Sequence, residues 1–295
     1  MVHSRDVENI LRWFMPNSSY SLFIGSGFYE VKAFAPQIMS LMDTFKVLQE
    51  LDIRYTYKQI CGDSYVSRCK NSLVHDFLKS DFSHLMIIDS DETWDFEGFA
   101  RLLKASMAGC EIAAGLYPCK NNWDFFGGVP NTDKTTGMLM GREIADMRLI
   151  DMNCVPGGFL IYSRQAFERT RPILDYYHAP ETDENILECF RNGVDLDTAF
   201  KTTEELSSMN KDELIGLVLA GQRGGRIGLH RGEDIWFQNQ YVRMGGKIWC
   251  EPNITIGHIG VKEWKGNYND HLLCKRKLND AVDACDAAFA TVADE

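Results

Sequence analysis

The sequence is short of proline, lacks long apolar runs and has no excess of positive charge. Each shortage removes a class of protein. Proline accounts for 8 of 295 residues against 24 glycines, a balance that suits many tight turns in a folded chain rather than a Pro-rich linker. No apolar run reaches the roughly 18 residues needed to span a bilayer. The start, Met1-Val2-His3-Ser4-Arg5-Asp6, enters mixed polar sequence without a secretory apolar core, so the expectation is a soluble, cytoplasmic protein. Nine cysteines, an odd number, are spread singly from Cys61 to Cys285 with no Cys-x-x-Cys pair. That spacing argues against a disulfide scaffold or a zinc ribbon and for a reducing compartment. Lys and Arg total 31 against 42 Asp and Glu, a formal charge of −11, which weighs against a protein built to grip a nucleic-acid backbone. It leaves room for a local basic groove.

What is present is ample for a core: 45% hydrophobic and 12% aromatic residues. Ser19 to Phe28 reads as a strand ending at a glycine-bearing loop, followed by a helical face of Phe34, Ile38, Leu41, Met42 and Phe45. Ile53 to Ile60 reads as a strand and Ser64 to Lys79 as an amphipathic helix. His84 to Ile88 is a buried strand running into Asp89, and Asp95 is the expected N-cap of a helix burying Phe96, Phe99, Leu102, Leu103 and Met107. Ile112 to Tyr117 is a further strand, closed by Pro118. This alternation predicts an α/β fold with a mostly parallel central sheet flanked by helices, whose ligands bind beyond the carboxyl ends of the strands.

Further on, Trp123 to Arg148 reads as loop, and Val155 to Tyr162 as a turn entering a strand. Thr182 to Gly221 reads as an inserted helical section with capping-box patterns at Thr202/Glu205 and Asn210/Glu213. Gly232 to Tyr241 leads from a loop into a helix, Lys247 to Ile259 is a strand, and Leu278, Val282, Cys285 and Phe289 form a C-terminal helical stripe. The stripe fits a dimer helix, and more ordinarily a terminal helix packed on its own domain.

Three constellations carry chemistry. Asp89-Ser90-Asp91 follows an apolar strand, and in extended chain its two carboxylates point to one side. Paired carboxylates in a crevice repel unless a cation lies between them, which suits Mg²⁺ or Mn²⁺ holding a diphosphate. Equally, such acids end strands and cap helices. Glu233-Asp234 precedes Trp236, Phe237 and Tyr241, so a carboxylate and stacking rings can meet a polar substrate; such a pair also complements a helix dipole. His258, between Gly257 and Gly260 near a strand end, suits metal ligation through a neutral imidazole, although a lone histidine is more often structural. Gly25-Ser26-Gly27 follows a strand as a dinucleotide fingerprint does, but Glu30 stands in place of the third glycine, which argues against a Rossmann dehydrogenase.

The ordered set Ser67-Arg68-Cys69-Lys70-Asn71, Ile87-Ile88-Asp89-Ser90-Asp91, Gly115-Leu116-Tyr117-Pro118-Cys119-Lys120, Pro156-Gly157-Gly158-Phe159, Gly232-Glu233-Asp234 and Gly257-His258 resembles the GT-A nucleotide-sugar glycosyltransferases, most closely their compact viral and bacterial members with an Asp-x-Asp motif. The resemblance spans about Leu22 to Gly260. It implies a single GT-A domain over 1–270, with a nucleotide-binding half (20–120), an acceptor and metal half (121–270) carrying a helical insertion at about 180–222, and a C-terminal helix over 271–295.

By resemblance, Asp91 and His258 are metal ligands, and Asp89 is a carboxylate reaching the ribose or the metal. Arg68 lies near the nucleotide, with Asn71 and Gly25 lining its pocket. Asp234, or Glu233, is the acid beside the acceptor that serves as base in inverting members. Gly157 and Gly158 leave room for sugar and acceptor. Lys262 is placed to meet the diphosphate without a motif match. Lys70 departs from the family's second arginine, and the insertion has no family counterpart. The implied activity is metal-dependent transfer, with Mn²⁺ or Mg²⁺, of a hexosyl or pentosyl group from a UDP- or GDP-type sugar to a glycan or other hydroxyl acceptor. Two alternatives stand beside it. One is glycosylation of a modified base in viral DNA, kept open by Arg223, Arg226 and Arg231. The other is a catalytically silent nucleotide-sugar-binding module.

Overall fold

A computed structural model describes residues 19–28, 33–120, 128–133, 135–136, 138–144, 147–195, 210–211, 229–260 and 263–276. The first half alternates β1 (Ser21–Phe28), α1 (Ala35–Glu50), β2 (Arg54–Cys61), α2 (Val66–Lys79), β3 (His84–Asp89), β4 (Glu92–Trp94), α3 (Phe96–Met107) and β5 (Ile112–Ala114). Then follow β6 (Val129–Pro130), β7 (Gly141–Ile144), β8 (Met147–Cys154), β9 (Phe159–Ser163) and α4 (Arg164–Thr170). The rest comprises β10 (Tyr176–Ala179), β11 (Glu184–Leu187), β12 (Gly193–Asp195), β13 (Leu229–Arg231), α5 (Glu233–Arg243), β14 (Ile248–Cys250), β15 (Thr255–Ile259) and β16 (Glu263–Asn267). Residues 268–276 are helical. Among the described residues, no helix is long and apolar enough to cross a membrane.

The expected α/β architecture is present. The main sheet runs β2-β1-β3-β9-β5-β14-β8-β6, with β7 also on β8. β1 pairs parallel with β2 and β3, and β14 parallel with β5. β9 lies antiparallel between β3 and β5, and β8 antiparallel to β14. Strand periodicity sorts the core into two faces. Leu22, Ile24, Met86 and Ile88 point into one apolar cluster with Leu48 of α1 and Phe99 of α3. Phe23, Leu85 and Ile87 point into the other, with Phe77 of α2, Phe167 of α4 and Phe237 of α5.

Several local expectations change. Gly25 and Gly27 do not form a loop: both lie inside β1, opposite Lys58 and Ile60 of β2. Glycine is needed there because α2 packs tightly on the strand. A Cβ on Gly25 would sit 2.9 Å from a Leu73 methyl, and one on Gly27 would sit 2.5 Å from the Cys69 sulfur. The loop expected from Trp123 to Arg148 contains β6 and β7 and runs into β8. Lys247 to Ile259 divides into β14 in the main sheet and β15 in a second, three-stranded sheet ordered β16-β15-β4. Within the expected helical insertion, residues 182–195 carry strands instead: β11 pairs with β10, and β12 with β13. Its capping boxes, Arg223, Arg226 and the Leu278 to Phe289 stripe lie outside the described residues, apart from Asn210. Asp95 does cap α3, its Oδ1 accepting from the Gly98 amide at 2.7 Å.

The end of α2 shows a device that periodicity does not reveal. Helix C-termini leave carbonyls without intrahelical partners. Arg164, the first residue of α4, donates to the carbonyls of Phe77, Leu78, Ser80 and Phe82 at 2.8–3.1 Å, and its guanidinium lies 4.6 Å from the centre of the Phe77 ring. Replacing Arg164 with Met should lower stability by about 2–4 kcal/mol through loss of these charge-assisted bonds. Urea unfolding checks this, and an unchanged midpoint would refute it.

Candidate metal and nucleotide site

The site sits where β3 ends. Ser90 and Asp91 form a turn into β4, so Asp89 and Asp91 are not in extended chain as their spacing suggested. The turn sends the two carboxylates to different partners. Asp89 lies 3.5 Å from the Lys70 ammonium, whereas Asp91 Oδ2 accepts from Lys120 and Asp91 Oδ1 lies 3.9 Å from His258 Nε2. β4 is fixed from behind by α1: Trp94 donates from Nε1 to Thr44 at 2.9 Å and exchanges backbone bonds with the Ser40 hydroxyl at 2.7 and 3.0 Å.

The β4–β15 register then makes the cluster. Glu92 is paired directly across from His258, which puts their side chains on the same face of the small sheet. Glu92 Oε1 lies 3.7 Å from His258 Nε2, and atoms of Asp91, Glu92 and His258 all fall within 4.8 Å of one another. Asp89 is not in this group. Glu92 is the member that sequence reasoning missed. It adjoins Asp91 in sequence, but only strand pairing turns it toward His258.

The electrostatics of this trio are unbalanced. His258 Nδ1 lies 2.9 Å from the Pro118 carbonyl, so it carries the proton and donates, leaving the Nε2 lone pair toward the acids. Burial holds the His258 pKa below its ordinary value, so the imidazole is neutral at pH 7 and makes no charge pair with Asp91 or Glu92. Glu92 is fully buried, and neither of its carboxylate oxygens has a hydrogen-bond partner among the described residues. Burial, then the Asp89 and Asp91 charges, pushes its pKa well above the usual carboxylate range. A buried carboxylate facing a lone pair needs either a proton or a cation. Donor atoms about 2.1 Å from one ion lie about 3–4.2 Å apart, which the 3.7 and 3.9 Å separations match. Two carboxylates and an imidazole therefore fit a divalent ion.

Beside this trio, a cleft of about 210 Å³ is lined by Gly27, Phe28, Val66, Cys69, Asp89 and Asp91. Lys70 forms its inner wall. Its ammonium is buried and lies 3.2 Å from Glu233 Oε1 and from the Gly157 carbonyl, besides its contact with Asp89. Burial is the largest influence on Lys70, yet Asp89, Glu233 and Asp234 outweigh it and hold the pKa above the ordinary lysine value. Burial lifts the Asp89 pKa to about 6, against the opposing pull of Lys70. Lys70 thus joins the strand-end acid to the α5 acids, a role that its place in the sequence did not reveal.

Glu233 and Asp234 open α5. Asp234 accepts from the Gly157 amide and from the Ile235 amide, both at 2.8 Å, and its pKa is raised, chiefly by burial. Gly157 and Gly158 leave room for the protein's own side chains. A Cβ on Gly157 would meet Asp234 at 2.6 Å, and one on Gly158 would meet Asp89 and the Tyr117 hydroxyl at 2.8 Å each.

Other expected site residues fall elsewhere. Arg68 is tied to Asp63 by bonds of 2.8 and 2.9 Å, on the rim where Asp63 lines the cleft. Asn71 is buried and clamps the Phe190 backbone through both amide atoms, at 2.7 and 2.9 Å. Gly25 packs against Leu73 within β1. Phe237 and Tyr241 are core residues, so they offer no stacking face. Lys262 lies outside the described residues, as does the side chain of Arg231.

No protein-family model matches the chain, and no curated protein matches it in sequence. Among solved structures it is similar to A197 from STIV, with a TM-score of 0.42 and 15% identity over 81% of this chain and 86% of that one. It is also similar to GalNAc-T7, crystallised with UDP, GalNAc and Mn²⁺, with a TM-score of 0.41 and 9% identity over 83% of this chain. The match spans 45% of the GalNAc-T7 chain. Likeness of this degree assigns no activity.

The unbalanced carboxylate gives a pH signature. An acid whose pKa is raised on folding stabilises the fold below its unfolded value, here 4.5 for Glu92, and that contribution is lost as pH rises through the folded value. Glu92→Gln should therefore gain stability relative to the metal-free wild type as pH rises from 4.5 to the folded value, and no further above it. Melting curves from pH 4 to 9 in chelator check this; a pH-independent difference would contradict it.

Proposed function

We propose that the chain is a metal-dependent glycosyltransferase that moves a sugar from a UDP- or GDP-type donor to a hydroxyl acceptor, such as a glycan. The observation that carries this reading is Glu92: a buried, unpartnered carboxylate facing the His258 lone pair and Asp91 at the end of a strand-edge cleft. An acidic cleft repels a diphosphate unless a cation bridges them, so the same residues that call for an ion also explain how an anionic donor binds. Mn²⁺ suits this mixed oxygen and nitrogen set better than Mg²⁺, which prefers oxygen alone.

In this reading Asp91, Glu92 and His258 hold the ion. When bound, the ion supplies Lewis-acid stabilisation of the charge that develops on the leaving diphosphate. The cleft walls, Phe28, Val66 and Cys69, receive the nucleoside, and Asp89 on the same wall faces the ribose. Lys70 holds Asp89 and Glu233 in place from behind. Asp234 takes the acceptor hydroxyl proton. Two backbone amides orient it, each oxygen keeps a lone pair, and burial makes it more basic than an exposed aspartate. Glu233 is the weaker candidate because the Lys70 ammonium occupies it. A base at Asp234 fits inversion at the anomeric carbon.

Thermal melting with UDP and GDP, each with and without Mn²⁺, tests the donor and metal together. Stabilisation that requires both nucleotide and Mn²⁺ is expected, and stabilisation by neither nucleotide would defeat the reading. Asp91→Ala should lose Mn²⁺ binding and turnover while keeping its circular dichroism spectrum. Asp234→Asn should retain Mn²⁺ affinity and lose about 10²–10⁴-fold in kcat, the usual span for a general base. Near-normal kcat in that variant would remove Asp234 from the mechanism.

A further inference from the structure

Lys120 stands at the solvent side of the metal cluster. It lies beyond β5, two residues past the Pro118 carbonyl that fixes His258, and its ammonium donates to Asp91 Oδ2. The other Asp91 oxygen faces His258 Nε2, so Lys120 and an ion in the trio would share one carboxylate. Gly260 makes space for the lysine stem. A Cβ there would lie 3.3–3.6 Å from the Lys120 Cδ, Cγ and Cβ atoms, tight enough to shift the stem.

The surrounding charges give this contact its meaning. Asp89 feels the charges of Asp91, Glu233 and Asp234, and Glu92 those of Asp89 and Asp91; Lys70 offsets them at both, and Lys120 at Glu92. Lys70 is buried and committed to three acceptors. Lys120 is 39% exposed and, among the described residues, pairs with one carboxylate, that of Asp91. Arg68, on the far rim, is tied to Asp63.

We propose that Lys120 is the site's resident counter-cation: it neutralises Asp91 before a divalent ion arrives, yields that carboxylate to the ion, and then pairs with the donor's diphosphate. The proposal rests on the metal and diphosphate reading above. Lys120 holds Asp91 through one ammonium contact, whereas an ion carries twice the charge and engages Glu92 and His258 as well. An ammonium on a flexible stem is a compact point charge well suited to phosphate oxygens. Once released, Lys120 lies beside the place where the diphosphate must sit to reach the ion.

The two halves of this proposal move in opposite directions when the charge is removed, which a purely structural lysine would not produce. Mn²⁺ binding is measured by electron paramagnetic resonance of the free ion on the full chain, first with Mn²⁺ alone and then with inorganic pyrophosphate at saturating Mn²⁺. Lys120→Met should bind Mn²⁺ about five-fold more tightly and pyrophosphate about ten-fold more weakly, the scale of one partly exposed charge pair and one charge-assisted phosphate contact. Lys120→Arg, which keeps the charge, should stay near wild type in both. Equal Mn²⁺ affinity in wild type and Lys120→Met overturns the role of Lys120 alone. Failure of both proteins to bind Mn²⁺ overturns the metal reading and this proposal with it.

Discussion

A fully buried carboxylate directly across a strand pair from a half-buried neutral imidazole is the constraint on which the site depends. Neither group satisfies the other. Both present electron pairs, at a separation too long for a hydrogen bond and suited to a shared ion. A protein core ordinarily excludes such an arrangement, because an unpaired buried acid costs several kcal/mol. Its presence at the carboxyl end of a central strand, beside a cleft, is what gives the metal reading its weight.

The fold holds this pair rigidly. Trp94 is pinned to α1 by Ser40 and Thr44, and that pin fixes the end of β4. The Pro118 carbonyl sets the imidazole tautomer from the opposite side. Glycines at 157 and 158 let Asp89, Tyr117, Asp234 and the Lys70 ammonium converge where any larger residue would drive them apart. The antiparallel entry of β9 brings that glycine pair against β3, and the Asp89 amide donates to the Gly158 carbonyl at 2.9 Å.

The acids of the site are divided among different counter-charges. Lys70 serves Asp89 and Glu233 from within the core, Lys120 serves Asp91 from the rim, and two backbone amides serve Asp234. Glu92 alone is left to an ion or a proton. This division separates a buried lysine from a rim lysine, each holding different carboxylates of one cluster.

The sequence by itself determined the alternation of strand and helix, the N-cap at Asp95, the two-faced core of β1 and β3, and the acids and histidine around which the site is built. Those features follow from local periodicity and capping chemistry, which act over a few residues. The tertiary structure alone decided which residues meet. Strand register paired Glu92 with His258 across 166 positions, and the Ser90–Asp91 turn separated Asp89 from Asp91. Strand pairing put Gly25 inside β1, and helix packing turned Asn71 into a clamp on Phe190 and placed Phe237 and Tyr241 in the core. Residue spacing encodes the direction of a side chain relative to its own element. The partner it faces depends on how distant elements dock, and no local pattern carries that.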